Sequence, residues 1–161
     1  QLEQNQCWLS MENKALLPKW FREFPGVEWI VISGQKLPVL DDKYRVMLDV
    51  KGKRLTGSAP ELAAYELLSA VPGTLSFNHA AELFQGLVNL NPRKVEYLLS
   101  VSQSVQAKRL YLFFASFYEH GWLRRIDSQK IDLGAGKRQI VVNGKFNAQY
   151  QITVPERFQK E

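Results

Sequence analysis

Few residues in this chain have the type and spacing that catalysis would need. The two histidines, His79 and His120, have no Ser or Cys beside them in a nucleophile motif, so each is interpreted as a satisfied or exposed side chain and not as a catalytic base. Cys7 is the single cysteine, and with two scattered histidines it makes no zinc-ligand set. The sequence therefore predicts no catalytic residue, no metal site and no cofactor, and we do not expect an enzyme.

A glycine-rich stretch, GAGK at 134–137, resembles a fragment of a phosphate-binding loop. A P-loop has a longer span between its glycines and a Ser or Thr after the lysine, whereas Arg138 follows here. We interpret the stretch as a flexible turn that leads into a strand.

Positive charge is the remaining feature that could bind a partner, and it is unevenly distributed along the chain. Residues 93–161 hold 12 Lys and Arg against 6 Asp and Glu, a net charge of +6, whereas residues 1–92 carry −1. A basic half favours a polyanionic partner, since each neutralised phosphate releases condensed counterions. The alternative is a solvated surface that keeps the protein soluble. The predicted partner- or DNA-binding residues all lie in the basic half: Lys108, Arg109, Arg124, Arg125, Lys137 and Arg138.

Two C-terminal elements would position these cations. The spacing predicts a helix over 105–118 that is apolar over most of its circumference, with Lys108 and Arg109 on a narrow charged strip facing water or a partner. His120-Gly121 should end this helix, with Gly in a left-handed conformation. A β-hairpin is predicted from strands 140–142 and 146–154 around Asn143-Gly144.

The preceding chain predicts strands at 7–10 and 27–33, the second one central in its sheet, and a hairpin from 44–50 and 54–56. Three helices follow. Ser58 and Glu61 predict a capping box for the first, Ser76 caps the second, and Asn91-Pro92 opens the third. The fold class is α+β, with N-terminal strands, about four central helices and a C-terminal β-hairpin in a single domain, 1–161.

Six blocks of the sequence carry a family resemblance: KRLYLFF, HGWL, IDLGAGKRQIVVNG and YQITVP, with LPKWF and SAPELAAYELLSAVP upstream. They resemble the C-terminal antitoxin domain of the AbiEi family, the antitoxins and transcriptional regulators of type IV (AbiE) toxin–antitoxin systems. The resemblance implies autoregulation of the operon, a role in phage defence by abortive infection, and neutralisation of a nucleotidyltransferase-like toxin without need of a stable complex. Lys108, Arg109, Lys137 and Arg138 lie within these blocks.

The chain also departs from the family pattern. Such proteins usually begin with a winged helix-turn-helix domain, and the stretch before Leu17 is too short to form one. We therefore expect operator DNA to be bound through that missing domain. Gln106 stands where the family suggests another basic residue.

The order of three helices and a hairpin allows an alternative function. In a self-contained winged-helix protein, the 105–118 helix would enter the major groove and the 137–154 hairpin would be the wing. The mostly apolar face of that helix argues against this reading.

Composition limits the class and the compartment. The 161 residues are 45% hydrophobic and 23% charged, which is typical of a globular protein. A single cysteine and the lack of a signal peptide or a long apolar stretch predict a cytoplasmic protein without a membrane span. The first methionine is Met11, which suggests a piece of a longer polypeptide.

Overall fold

The computed structural model describes residues 5–11, 17–23, 25–32, 36–50 and 52–159. The chain divides into two compact units, Gln1–Gln35 and Lys36–Glu161, and each is described by itself. The prediction of one domain over the whole chain stays a prediction.

The N-terminal unit contains two parallel strands joined through a short helix. Strand β1 (Asn5–Ser10) pairs with β2 (Val27–Ile32), and helix α1 (Lys19–Arg22) lies between them in the sequence, as a parallel pair requires a crossover. Both predicted strands are confirmed over the described residues, with residue 33 outside them. The predicted central position of 27–33 is not seen, since β2 pairs only with β1 among the described strands.

The larger unit opens with a β-hairpin, continues through four helices and closes with a second antiparallel pair. Its elements are β3 (Arg45–Val50), β4 (Lys53–Ser58), α2 (Pro60–Ser69), α3 (Phe77–Gln85), α4 (Pro92–Val101), α5 (Val105–Phe117), β5 (Lys145–Asn147) and β6 (Ile152–Val154). The predicted α+β class is confirmed. No helix in the described part of the chain is long and apolar enough to cross a membrane.

The structure confirms two of the three helix N-caps that the sequence predicts. Ser76 Oγ accepts from the His79 amide at 3.2 Å, and Asn91 Oδ1 accepts from the Arg93 and Lys94 amides at 3.0 and 3.3 Å. Both caps satisfy amides that the first helical turn leaves without partners.

The predicted capping box of α2 is wrong. Ser58 is the last residue of β4, paired with Arg45, so Ala59 becomes the N-cap and makes no side-chain cap bond. Ser58 Oγ instead donates to Glu66 Oε2 at 2.8 Å. Glu61 is buried and its Oε1 accepts from the Asn91 amide at 2.8 Å, so it stabilises the start of α4.

Helix α5 is the centre of the core. Nine consecutive residues, 107–115, are buried, which requires neighbours on every side of the helix. Aromatic rings supply many of these contacts: the Phe77 and Phe114 centroids lie 4.9 Å apart, and Phe84 meets Tyr111 edge to face at 5.2 Å. After α5 the left-handed residue is Glu119 (φ 56°), and Gly121 begins the 3₁₀ helix Gly121–Arg125, so the predicted glycine cap is wrong.

The C-terminal hairpin is shifted from its predicted position. Asn143 takes the expected positive φ of 57°, but the paired strands are β5 and β6, connected by the turn at 148–151. Residues 140–142 do not form a strand, because the Thr153 side chain, and not the backbone of a partner strand, bonds to the amides of this segment. Its Oγ1 accepts from the amides of Ile140 and Val141 at 2.9 and 3.1 Å and donates to the Val141 carbonyl at 3.0 Å.

Candidate functional site

The six predicted cations occupy different environments. Lys108 and Arg109 were expected on a strip facing water or a partner, but their exposed fractions are 4% and 2%. That placement is corrected, since both side chains lie inside the unit at the start of the buried part of α5. This burial also excludes α5 as a recognition helix, because a helix that binds in the major groove must present its side chains to base edges. The winged-helix alternative is therefore wrong about this helix.

Arg109 holds together segments that are distant in sequence. Its Nε donates to the Leu133 carbonyl at 2.8 Å, Nη2 to Gly134 at 3.1 Å, and Nη1 to Gly136 at 2.6 Å and Gln151 at 3.3 Å. We call residues 133–136 the glycine loop. One guanidinium thus fixes this loop against α5 and the approach to β6.

The glycine loop has a conformation that suits glycine. Gly134 and Gly136 have φ values of 61° and 77°, in the left-handed region. A Cβ at Gly134 would also lie 2.8 Å from Val105 Cγ2 on α5, so the loop packs closely there. At its start, Asp132 Oδ1 accepts from the Gly134 amide at 2.7 Å.

The charge of Arg109 has no carboxylate partner within 4.0 Å among the described residues. Burial lowers the pKa of the guanidinium from its ordinary value, and repulsion by Arg138 lowers this pKa further. Arginine stays protonated despite such shifts. The structure therefore brings two cations together at the glycine loop.

Lys137 and Arg138 follow the loop at the molecular surface, with Lys137 exposed and Arg138 half-buried. Lys137 Nζ lies 4.8 Å from the centroid of the Phe146 ring, a cation–π distance. Arg138 Nη1 donates to the Lys137 carbonyl at 3.1 Å, and its main chain bonds to Gln151 and Thr153 beside β6. Neither side chain forms an ion pair within the described ranges.

Arg124 and Arg125 end the 3₁₀ helix Gly121–Arg125 and are exposed. Trp122 anchors this segment, since it is buried and its Nε1 donates to the Leu87 carbonyl at 3.0 Å. The two arginines make no ion pair with any residue that the structure describes. We call Arg124-Arg125 and Lys137-Arg138 the two surface cation pairs; of the four side chains, only that of Arg138 is half-buried.

The histidines differ in environment. His120 is buried, with Nε2 at 3.2 Å from the Gln85 carbonyl oxygen and its ring stacked on Phe84 at 5.6 Å. Burial lowers its pKa, and the hydrogen bond to Gln85 opposes that shift. His79 is exposed on α3.

Sequence reasoning missed the structural role of Arg109. The available signal was one arginine entering an apolar helical run, VQAKRLYLFFA, with a Gly-x-Gly loop later in the chain whose carbonyls needed donors. A charged side chain at such a position needs several hydrogen-bond partners if it is buried.

Comparison with known proteins assigns the family. A family model described as "Transcriptional regulator, AbiEi antitoxin, Type IV TA system" matches residues 4–155. Searches of curated proteins and of solved structures returned no match. The family match covers nearly the whole chain and includes the glycine loop and both surface cation pairs. The chain therefore belongs to the AbiEi family of antitoxins and transcriptional regulators of type IV toxin–antitoxin systems.

Proposed function

We propose that this chain neutralises a nucleotidyltransferase-like toxin of its own operon through the two surface cation pairs, Arg124-Arg125 and Lys137-Arg138. The observation that supports this is the absence of ion pairs at all four side chains within the described part of the chain. Cations without an internal counter-ion are available to a polyanionic partner. Family membership supplies the biological setting.

The remaining two cations have a different proposed role. Arg109 acts on the binding surface from inside, by fixing the loop from which Lys137 and Arg138 project. Lys108 is buried beside it. Antitoxin action is proposed as functional antagonism that needs no stable complex with the toxin.

The proposed autoregulation also uses this surface. Operator binding is expected to need a winged helix-turn-helix domain of the kind common in the family, with the surface cation pairs adding phosphate contacts. The proposed setting is the cytoplasm, in phage defence by abortive infection.

Co-expression with the toxin from the neighbouring gene tests the proposal. The variants are Arg124→Glu with Arg125→Glu, and Lys137→Glu with Arg138→Glu. Lys53→Glu with Arg54→Glu on β4 is the matched control, because it makes the same charge change at two exposed residues. Each variant must retain the far-UV circular dichroism of the parent chain.

We expect both pair reversals to reduce survival of toxin-producing cells, and the β4 control to protect them like the parent. Full protection by both pair reversals would refute the proposed surface. Equal loss in the control would show that net charge is responsible, and not these positions.

A further inference from the structure

The peptide planes of the glycine loop have a defined direction. The carbonyls of Leu133, Gly134 and Gly136 all accept from the Arg109 guanidinium beneath the loop. In a trans peptide the N–H of the following residue lies opposite the carbonyl. The amides of Gly134, Ala135 and Lys137 therefore point away from Arg109, towards the outer side of the loop.

Two of these amides are unused. The Gly134 amide donates to Asp132 Oδ1, but those of Ala135 and Lys137 donate to no acceptor in the described chain, and both residues are exposed. These two N–H groups are two residues apart in a loop whose glycines are left-handed, and outward main-chain donors of this kind are suited to an anion.

Charge around the loop favours the same kind of ligand. Arg109 lies below it without a carboxylate partner in the described residues, and Lys137 and Arg138 flank it. An added Cβ at Gly136 would lie 3.5 Å from Arg138 Nη1, which places that guanidinium beside the loop. Asp132 is the opposing charge, and its carboxylate is already engaged by the Gly134 amide.

We propose that residues 134–138 bind a phosphate of the DNA backbone. The amides of Ala135 and Lys137 would donate to its oxygens, and the side chains of Lys137 and Arg138 would neutralise it. Arg109 is a positioning residue that holds the carbonyls inward so that the amides face outward. This inference rests on the proposed function and gives one cation pair a defined ligand, a phosphodiester read without regard to sequence.

The test is a titration of the ¹⁵N-labelled chain with a 16-base-pair duplex of mixed sequence, at several salt concentrations, followed by amide chemical shifts. We expect the largest shifts at Ala135 and Lys137. Lys137→Gln with Arg138→Gln should make the negative slope of log K against log salt shallower by about 1 to 2 and weaken binding at low salt by about tenfold. Asp132→Asn keeps an acceptor for the Gly134 amide, removes the opposing charge, and should tighten binding.

Lys53→Gln with Arg54→Gln is the matched control, and we expect its slope to equal that of the parent chain. The inference is overturned if the amide shifts of Ala135 and Lys137 do not change, or if the control makes the salt slope as shallow as the loop variant does. Inorganic phosphate serves as a second probe. Saturation by phosphate at low millimolar concentration without any response to the duplex would assign the loop to a free anion and also overturn it.

Toxin rescue by the same Gln variants separates this inference from the proposed function. If the duplex leaves the loop unchanged but the loop variant loses rescue, the phosphate site fails and the antitoxin surface stands. If the loop binds the duplex and the loop variant still rescues fully, the phosphate site stands and these two residues are excluded from toxin neutralisation.

Discussion

Replacing Arg109 should destabilise the protein more than replacing any exposed cation of the predicted set. In Arg109→Met, a side chain of similar length keeps much of the packing on α5 but removes all four bonds to the carbonyls of residues 133, 134, 136 and 151. The inner face of the glycine loop is then left with acceptors that have no donor.

The magnitude follows from opposing effects. A hydrogen bond to a charged group contributes about 1.5 to 3 kcal/mol. Four such bonds are not additive here, since water can reach the carbonyls of the exposed loop residues, and removal of the guanidinium also relieves its desolvation. We expect a net loss of about 2 to 4 kcal/mol in the free energy of unfolding.

Equilibrium unfolding in urea, followed by far-UV circular dichroism, measures this loss. Arg125→Met is the matched control, because that arginine is exposed and without an ion pair in the described residues, and it should change stability by less than about 0.5 kcal/mol. Arg109→Lys should fall between the two, since an ammonium keeps the charge but cannot donate to all four carbonyls at once. An Arg109→Met chain as stable as the control would refute the argument that this guanidinium holds the loop.

Three further predictions concern buried polar contacts and backbone conformation. The pKa of His120 is lowered from the usual 6.5 in the folded chain, so the unfolded chain binds more protons as pH falls below about 6.5. Stability should decrease there, and urea midpoints measured against pH should show a flatter dependence for His120→Gln and an unchanged one for His79→Gln. Glu61→Ala should cost about 1 to 3 kcal/mol by leaving the amide of Asn91, the N-cap of α4, unpaired, whereas Ser58→Ala should cost less than about 1 kcal/mol. The reverse order of the two losses in urea unfolding would support the predicted capping box. Gly134→Ala should cost about 2 kcal/mol, from strain at φ 61° and contact with α5, and a thermal melt like that of the parent would contradict this.

Local patterns in the sequence were sufficient for most elements of the larger unit. Ser76 and Asn91 cap α3 and α4 as their positions predict, because a cap bond spans only two or three residues. The apolar spacing of α5 likewise predicts a helix covered on most sides, and its nine buried residues confirm it. The family blocks can also be recognised from the sequence alone, and the family match over residues 4–155 agrees with them.

The same local reasoning failed where a polar residue had a choice of partners. Ser58 and Glu61 have the spacing of a capping box. Ser58 instead lies in β4, paired with Arg45, and Glu61 accepts from the amide of Asn91, 30 residues away. Asn143 forms a turn as predicted, yet side-chain bonding at Thr153 keeps the segment before it out of the ladder.

Arg109 shows most clearly what the sequence could predict and what it could not. The sequence placed this arginine on a helix and assigned it a positive charge, and both statements hold. Its burial depended on a loop that returns to α5 only after 24 residues and brings three inward carbonyls with it. Local bonds decide where helices begin and end, because their partners are a few residues apart; tertiary structure alone decides whether a cation faces water or the core, because its acceptors come from distant parts of the chain.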